Sequence, residues 1–277
     1  MTETATNEHP IPFSGSMVRA VLEGRKTQMR RVVNPQPPKW VDAYSQSADP
    51  NHWLPSGVYI SDPCGVLGRG SLSVRKSDMP IRCPFGVPGD RLWVRETWRV
   101  GGLDVGGYRS PIRVAIDYKA SPEIDRTPWV QGATGEWLLR MRDQTLDDAN
   151  QKGVDQWDHG ESPARWRPSI HMPRWASRIT LVVKRVWVER VQEISDIDAY
   201  AEGVEMVSAP KPPGYGVPGL APTFKHYQNP DFNGGRGVGV KHSFQTLWDS
   251  INASKGYGWD TKPWVWCVEF ERVEDGR

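Results

Sequence analysis

Residues 179–191 read ITLVVKRVWVERV, which is the strongest strand pattern in the chain. Ile179, Leu181 and Val183 are expected on one face of this strand, because successive side chains of a strand point to opposite sides. The apolar pattern then resumes at Val186 with the opposite phase. A change of phase within one strand indicates a bulge or a sharp bend, which β-barrels use to curve their sheets.

Four other segments share this character, and we predict strands at 26–33, 91–98, 113–118 and 264–273. In the last of these, every second residue is a large apolar one. A period of two is typical of a strand with one buried face. We expect 26–33, 91–98, 179–191 and 264–273 to belong to one closed or nearly closed sheet.

Three helices are predicted from capping residues and apolar periodicity. Ser16 and Ser195 are the expected N-caps, because a serine hydroxyl accepts hydrogen bonds from the free backbone N–H groups of a first turn. Gly24 and Gly203 are expected to end these two helices, since glycine adopts the left-handed conformation without strain. A third, amphipathic helix is predicted over 243–251.

The rest of the sequence is rich in turn formers, with 27 glycines and 24 prolines among 277 residues. This content argues against a helical bundle and favours short strands joined by long connections. We predict irregular insertions at 34–80, 119–165 and 207–240 and a flexible tail over 1–9. The whole chain, 1–277, is predicted to form a single α+β domain.

Charge and cysteine content narrow the function classes. The net charge is only +2, so overall electrostatics do not by themselves indicate a nucleic-acid-binding protein. The sequence has no apolar run of about 18 residues and no signal-peptide pattern, which predicts that the protein has no membrane partner. Cys64, Cys83 and Cys267 are widely spaced and odd in number, which predicts thiols in a reducing, cytoplasmic compartment.

One set of residues is a candidate metal site. His52, Cys64 and Cys83 carry the side chains that zinc prefers, but they lack the short CxxC or HxxxH spacings of zinc motifs. We therefore predict no metal and no other cofactor.

Several motifs resemble those of the ASCH family. Residues 17–31, MVRAVLEGRKTQMRR, resemble its opening helix and strand. The turn at 88–90, the AYAEG segment at 199–203 and the closing strand at 264–270 follow in the family's order. The segment WRPSIHMPRWASR at 166–178 resembles larger members that phages and prophages encode. The resemblance covers most of 10–33, 81–100, 165–204 and 242–273 and leaves the three insertions unmatched.

The resemblance implies a PUA-like small β-barrel of about five to six strands with two or three flanking helices. Such barrels commonly bind RNA or modified bases beside their first helix. Small bacterial members similar to this chain hydrolyse the acyl amide of acetylated cytidine. They use a lysine, a threonine three residues later and a glutamate from a short helix.

Carried over to this sequence, the lysine is Lys26 and the glutamate is Glu202. The threonine position holds Met29, whose thioether has no proton to lose and cannot form an acyl intermediate. Thr27 is the nearest hydroxyl, but on a strand it points away from Lys26. Thr27 therefore substitutes as a catalytic residue only if the chain twists or slips there.

Lys26 lies in a basic run with Arg25, Arg30 and Arg31. Neighbouring positive charges lower the pKa of a lysine and favour a neutral amine base, and they also attract phosphates. The structural alternative is a solvated basic strand edge that prevents aggregation. Glu202 lies at the end of its predicted helix, where a carboxylate is unfavourable to the helix dipole, which points to a role in a site.

Basic and aromatic residues alternate in 166–178, between prolines that favour an extended path. The candidate nucleic-acid contacts here are Trp166, Arg167, His171, Arg174, Trp175 and Arg178. Arginine pairs with phosphates and tryptophan stacks on bases, while histidine is also a candidate general acid or base. The structural alternative is a loop whose tryptophans cover the end of the barrel. Nearby, Arg95 and Glu96 are expected to pair with each other.

The sequence thus predicts a protein that binds RNA, DNA or a modified nucleoside through a basic cleft. One alternative is an amidohydrolase acting on acylated cytosine nucleosides, and another is a phage assembly or interaction protein with its long loops as docking surfaces. Met29 favours binding over hydrolysis, because it removes the nucleophile.

Overall fold

The structure is a computed structural model of the chain. It describes residues 6–38, 41–47, 49–60, 72–76, 81–104, 113–120, 136–157, 160–208, 221–229, 231–232 and 237–273. Within these ranges the α-helices are α1 (Gly15–Leu22), α2 (Glu136–Lys152), α3 (Asp196–Ala201) and α4 (Val240–Asn252). The strands are β1 (Glu8–Pro12), β2 (Gln28–Val32), β3 (Ala43–Gln46), β4 (His52–Ile60), β5 (Leu72–Lys76), β6 (Ile81–Arg82), β7 (Arg91–Arg95), β8 (Trp98–Asp104), β9 (Arg113–Tyr118), β10 (Thr180–Arg190), β11 (Met206–Ser208), β12 (Thr223–Phe224) and β13 (Trp264–Val273).

The largest sheet has five strands in the order β1-β7-β10-β13-β2. The predicted strands at 26–33, 91–98, 179–191 and 264–273 all contribute to it, which confirms that they share one sheet. In the described part of the chain this sheet does not close on itself. The other sheets are β3-β4-β5, with β6 also paired to β4, and the two-stranded β8-β9 and β11-β12. The architecture is therefore α+β with several sheets.

Strand β10 keeps the change of phase that its sequence predicts. Val183 and Val186 are buried, while Lys184 and Arg185 between them are both exposed. Two consecutive exposed residues shift the buried positions by one, so the apolar pattern changes face within a continuous strand.

The chain divides into two compact units. The first comprises Met1–Asn7, Glu23–Arg91 and Val182–Glu271, and the second comprises Glu8–Leu22, Leu92–Leu181 and Arg272–Arg277. Each unit has its own cluster of buried apolar residues.

In the first unit, both faces of β13 are covered, and Trp264–Val268 are all buried. One face, with Val265 and Cys267, packs into the core that α3 and α4 complete. The other face carries Trp264 and Trp266, which contact aromatic rings of β3 and β4. The expectation of a half-buried last strand was therefore wrong, because a second sheet covers its outer face.

That second sheet arises from the segment 34–80, which we expected to be irregular. β3 pairs with β4 and β4 pairs with β5, all antiparallel. Pro55 and Gly57 interrupt the apolar pattern of β4, so the sequence did not indicate a strand there. Tyr44 of β3 and Trp53 of β4 contact Trp264 and Trp266 of β13. Residues 61–71 and 77–80 of this insertion lie outside the described residues.

In the second unit, the core is built on the β8-β9 hairpin, with Trp98, Ile116 and Tyr118 fully buried. The predicted strand 91–98 is divided here, because β7 ends at Arg95 and β8 begins at Trp98 in a different sheet. The segment 119–165 was expected to be irregular but contains α2. This helix buries Met141, and the residues one and two turns after Met141 on the same face are polar or small. Its low apolar content hid the helical period.

The helix ends test the capping predictions. The Ser195 hydroxyl accepts a hydrogen bond from the Asp198 backbone N–H at 3.1 Å, which confirms the cap of α3. Gly24 and Gly203 have φ values of 72° and 83°, as expected for helix ends. The prediction that Ser16 caps α1 was wrong, because the Ser14 hydroxyl accepts the hydrogen bond from the Met17 N–H. Helix α4 begins three residues before its predicted start.

The prediction of a flexible tail over 1–9 was wrong at Glu8 and His9, which lie in β1. Residues 1–5 lie outside the described residues. Parts of the other two insertions, 121–135, 158–159, 209–220, 230 and 233–236, lie outside them as well. No helix in the described ranges has the length and apolar content that a membrane span requires.

Candidate functional site

The backbone of the first unit brings Lys26 and Glu202 together. Lys26 lies just before β2, and it forms an isolated antiparallel β-bridge with Glu202, the C-cap residue of α3. The Thr27 backbone N–H donates to the Ala201 carbonyl at 2.9 Å. Gly203 ends the helix at this point. The carboxylate of Glu202 is unfavourable at this end of the helix dipole, but main-chain hydrogen bonds hold Glu202 against Lys26.

The side chains of these two residues form a buried ion pair. Lys26 Nζ donates to Glu202 Oε2 at 2.7 Å and to the Glu202 carbonyl at 2.9 Å. Arg30 Nη1 donates to the second carboxylate oxygen, Glu202 Oε1, at 3.1 Å. The residues Lys26 and Glu202 are only 4% and 6% exposed, so both cations and the carboxylate between them are removed from water.

Three more polar residues complete the arrangement, which we call the Lys26–Glu202 cluster: Lys26, Gln28, Arg30, Glu189, Asp198 and Glu202. Arg30 Nε donates to Glu189 Oε1 at 2.9 Å, and Gln28 Nε2 donates to Asp198 Oδ1 at 2.9 Å. Asp198 keeps 28% of its side chain exposed, so its carboxylate is where the cluster meets solvent.

Burial and charge act against each other in this cluster. Burial lowers the pKa of Lys26, and the attraction of Glu202 offsets only part of this effect, while Arg30 and Arg31 lower the pKa further. Burial raises the pKa of Asp198, but hydrogen bonds from Ser195 and Gln28 outweigh it and leave that pKa below its usual value. The pKa of Lys26 is therefore lowered in the same cluster in which the pKa of Asp198 is lowered.

The titration of Lys26 gives a direct test of this balance. We expect the pKa of Lys26 to lie below its usual value in the wild-type protein. It should fall further in Glu202→Gln, because the substitution removes the charge that favours the ammonium form. NMR titration of the lysine side chain measures both values. An unchanged pKa in the variant would show that the two groups do not interact in solution.

Met29 and Thr27 lie apart from the cluster. Along β2, Gln28 and Arg30 point to the cluster, while Met29 between them points to the opposite face and pairs across the sheet with Val268. Met29 is 2% exposed and packs in the core, whereas Thr27 is exposed. The structure thus brings Lys26 and Glu202 together but places neither Thr27 nor the Met29 position beside them.

The basic run is divided between environments by the same alternation. The Arg30 side chain is fully buried in the cluster, whereas half-buried Arg31 lies on the other face of β2, opposite Trp266. Arg25 is partly exposed and donates to the Gly203 carbonyl at 2.7 Å and to Glu23. The arginines therefore do not form one continuous basic surface.

The candidate residues of 166–178 lie in the second unit and are mostly engaged in contacts there. Arg178 forms a buried ion pair with Glu96 at 2.9 Å, and Arg174 pairs with Glu8 at 2.7 Å. The expected pair between Arg95 and Glu96 was wrong, because successive residues point to opposite faces and the Arg95 guanidinium donates instead to the Met172 carbonyl.

The remaining residues of that segment take part in ring contacts or are exposed. Arg167 lies 5.7 Å from the Trp98 ring, and Arg99 lies 4.5 Å from the Trp166 ring. Trp175 packs edge-on against Trp98. His171 is exposed at the end of a short 3-10 turn. These contacts account for the alternation of basic and aromatic residues by packing, and His171 stays accessible.

Three members of the cluster were not recognised as site residues from the sequence. Gln28 has the same strand parity as Lys26, which is a usable signal. Asp198 lies in the first turn of the short helix α3, where acidic residues are common, and Glu189 lies near the end of a long strand with no local motif. Their convergence depends on the approach of α3 and β10 to β2, which local sequence does not encode.

The candidate metal set does not come together in the described residues. His52 Nε2 lies 3.3 Å from Asp49, Cys83 is buried, and Cys64 falls outside the described ranges. Burial raises the pKa of Cys83 to about 12. Across the part of the chain that the structure describes, no group of three or more His, Cys, Asp or Glu side chains has the geometry of a metal site.

Comparisons of the chain with protein-family models, with curated proteins and with solved structures found no match.

Proposed function

We propose that the chain binds a modified nucleoside, free or within a nucleic acid, at the Lys26–Glu202 cluster. The observation that carries the proposal is the buried contact between Lys26 and Glu202, the two residues that the ASCH resemblance selects. A PUA-like ASCH fold and a cytoplasmic location are part of the same proposal. The isolated buried thiols Cys83 and Cys267 support such a reducing compartment.

The charges of the cluster favour a nucleoside over a phosphate. It contains two cations, Lys26 and Arg30, and three carboxylates, and both cations are already paired with carboxylates. A phosphate would have to displace those carboxylates and would meet their repulsion. A neutral base needs no counter-charge and can bind through hydrogen bonds alone.

Asp198, the part-exposed carboxylate of the cluster, and the buried Gln28 bonded to it supply complementary groups for the edge of a base. Asp198 offers carboxylate oxygens that accept, and Gln28 offers an amide N–H₂ that donates, while its amide oxygen accepts from Arg30 Nη1 at 3.2 Å. Gln28 Nε2 donates a hydrogen bond to Asp198 Oδ1. A base that presents a donor beside an acceptor can replace this bond, because its donor bonds to Asp198 and its acceptor bonds to Gln28. We therefore assign base recognition to these two side chains.

Replacing Asp198 with Asn is expected to weaken binding of acetylated cytidine by about 10- to 100-fold, because a hydrogen bond to a charged acceptor is lost. Asp196→Asn is the matched control, since Asp196 is exposed and lies in the same first turn of α3 outside the cluster. Isothermal titration of the wild-type protein and both variants measures the effect. Equal Kd values for the two variants, or no binding to the wild-type protein, would exclude the proposed site.

A second candidate function, hydrolysis of acylated cytosine nucleosides, is favoured by the lowered pKa of Lys26. A lowered pKa raises the neutral fraction of Lys26, and only the neutral amine can accept a proton, while the Glu202 carboxylate orients it. The hydroxyl nucleophile is the missing component, because Met29 points away from the cluster and Thr27 is exposed. Hydrolysis would therefore need a water molecule activated by Lys26, and binding without turnover is the simpler proposal.

A further inference from the structure

Four aromatic side chains of the first unit meet on the face of β13 opposite the Lys26–Glu202 cluster. We call them the aromatic layer: Tyr44, Trp53, Trp264 and Trp266. The Tyr44 and Trp264 rings pack edge-on with centroids 5.0 Å apart, and the Trp53 and Trp266 rings do so at 6.3 Å. β3 and β4 supply one side of the layer, and alternate residues of β13 supply the other.

Within the part of the chain that the structure describes, the layer contains buried hydrogen-bond donors for which no partner is found. The Trp53 and Trp264 residues are 7% and 4% exposed, and the indole N–H of each is buried without an acceptor. The Tyr44 hydroxyl is buried in the same condition. A buried donor that has lost its hydrogen bonds to water destabilises the folded protein, so buried polar groups are nearly always paired. Three such groups lie together in this one layer.

Positive charge lies beside these donors. The Arg190 guanidinium stacks 4.2 Å from the centroid of the Trp264 ring and donates to the Lys262 carbonyl at 2.8 Å. Arg31 is the cross-strand partner of Trp266. The layer thus combines flat apolar faces, donors and cationic groups, which together suit a planar ligand with several acceptor oxygens.

We propose that the aromatic layer is a second binding site, for a nucleobase rich in carbonyl oxygens. The proposal rests on the proposed function in that its ligand is a nucleoside unit, but it uses different residues on a different face of β13. The base stacks on a tryptophan ring, and its carbonyl oxygens accept hydrogen bonds from Tyr44, Trp53 and Trp264. Uracil fits this pattern better than cytosine, whose exocyclic amine presents a donor where the layer also presents donors.

Access is through the edge strand β3. Tyr44 is half-buried, and the other residues of β3, Ala43, Ser45 and Gln46, are exposed. β3 is at the end of its sheet, with β4 as its neighbour. A ligand therefore enters by displacing the Tyr44 ring from Trp264, without unfolding β13.

The indole N–H signals of a ¹H–¹⁵N spectrum test the site directly. On titration of the full chain with uridine, the Trp53 and Trp264 signals, assigned from Trp53→Phe and Trp264→Phe, should move downfield as hydrogen bonds form. Cytidine should shift them less at the same concentration. If uridine moves other signals and leaves these two unchanged, the second site is excluded while the proposed function stands. If acetylated cytidine and uridine both fail to bind, the proposed function and the second site are both excluded.

Tyr44→Phe separates a binding role from a packing role. It removes only the hydroxyl, so uridine binding should weaken by about 3- to 10-fold, the range of one neutral hydrogen bond. The midpoint of thermal denaturation without ligand should not fall, because the Tyr44 hydroxyl has no hydrogen-bond partner among the described residues. A lowered midpoint, or an unchanged Kd for uridine, would overturn the proposal. The Asp198→Asn variant is the control, and it should leave the uridine-induced indole shifts in place.

Discussion

Replacing Glu202 with Gln is expected to lower the free energy of unfolding by about 3–5 kcal/mol, which is the usual effect of removing one partner from a buried ion pair. Both carboxylate oxygens of Glu202 accept from cations, Lys26 at 2.7 Å and Arg30 at 3.1 Å. The glutamine amide presents one N–H₂ group to a cation and leaves the lysine without its counter-charge. Because Lys26 is 4% exposed, water does not replace the lost interaction.

Urea denaturation of the two proteins measures the effect. Glu271→Gln is a suitable control, because Glu271 forms an exposed ion pair with Lys184 and its loss should leave the midpoint unchanged. The double substitution of Lys26→Met with Glu202→Gln should destabilise less than Glu202→Gln alone, since no unpaired lysine is buried. A midpoint for Glu202→Gln equal to that of the control would mean that the cluster is solvated.

The second large effect is expected for Met29→Thr, with a loss of about 2–4 kcal/mol in the free energy of unfolding. Met29 is 2% exposed and packs on the face of β2 opposite the cluster. Threonine leaves a cavity there and buries a hydroxyl. The same geometry predicts that the variant gains no hydrolysis of acetylated cytidine, although the substitution supplies a hydroxyl at the position where the ASCH resemblance implies one.

Release of acetate from acetylated cytidine, followed for the wild-type and variant proteins, tests the second part. Turnover by Met29→Thr would mean that residue 29 reaches Lys26, which contradicts the alternation of side chains along β2. Turnover by the wild-type protein would favour the amidohydrolase function and would indicate that a water molecule is the nucleophile. Binding without turnover in both proteins is the result that the geometry favours.

The convergence of Lys26 and Glu202 was available from the sequence only through the ASCH resemblance. The basic run marks Lys26 and the helix-end position marks Glu202, but no local pattern pairs these two residues, because they are far apart in the chain. The resemblance also selected position 29 as a partner, and here the structure differs. The chain is extended here and β2 begins at Gln28, so a residue and the one three positions after it point to opposite faces.

The cluster also changes the meaning of the basic run at 25–31. The sequence shows four cations close together and predicts a phosphate site. It does not show that Glu189, Asp198 and Glu202 approach from two other elements. Once Lys26 and Arg30 are paired with these carboxylates, the run no longer acts as a single basic surface, because paired and buried charges attract distant phosphates weakly.

By itself, the sequence determined four of the five strands of the largest sheet, all but β1, together with the change of phase in β10 and the cap and end of α3. These features depend on residue period and on contacts within a few positions, which a sequence displays directly. Tertiary structure alone decided the second sheet of residues 43–82, the burial of both faces of β13 and the partners of Arg30 and Arg178. Such features depend on which distant segments meet, and burial against a distant segment leaves no period in the local sequence.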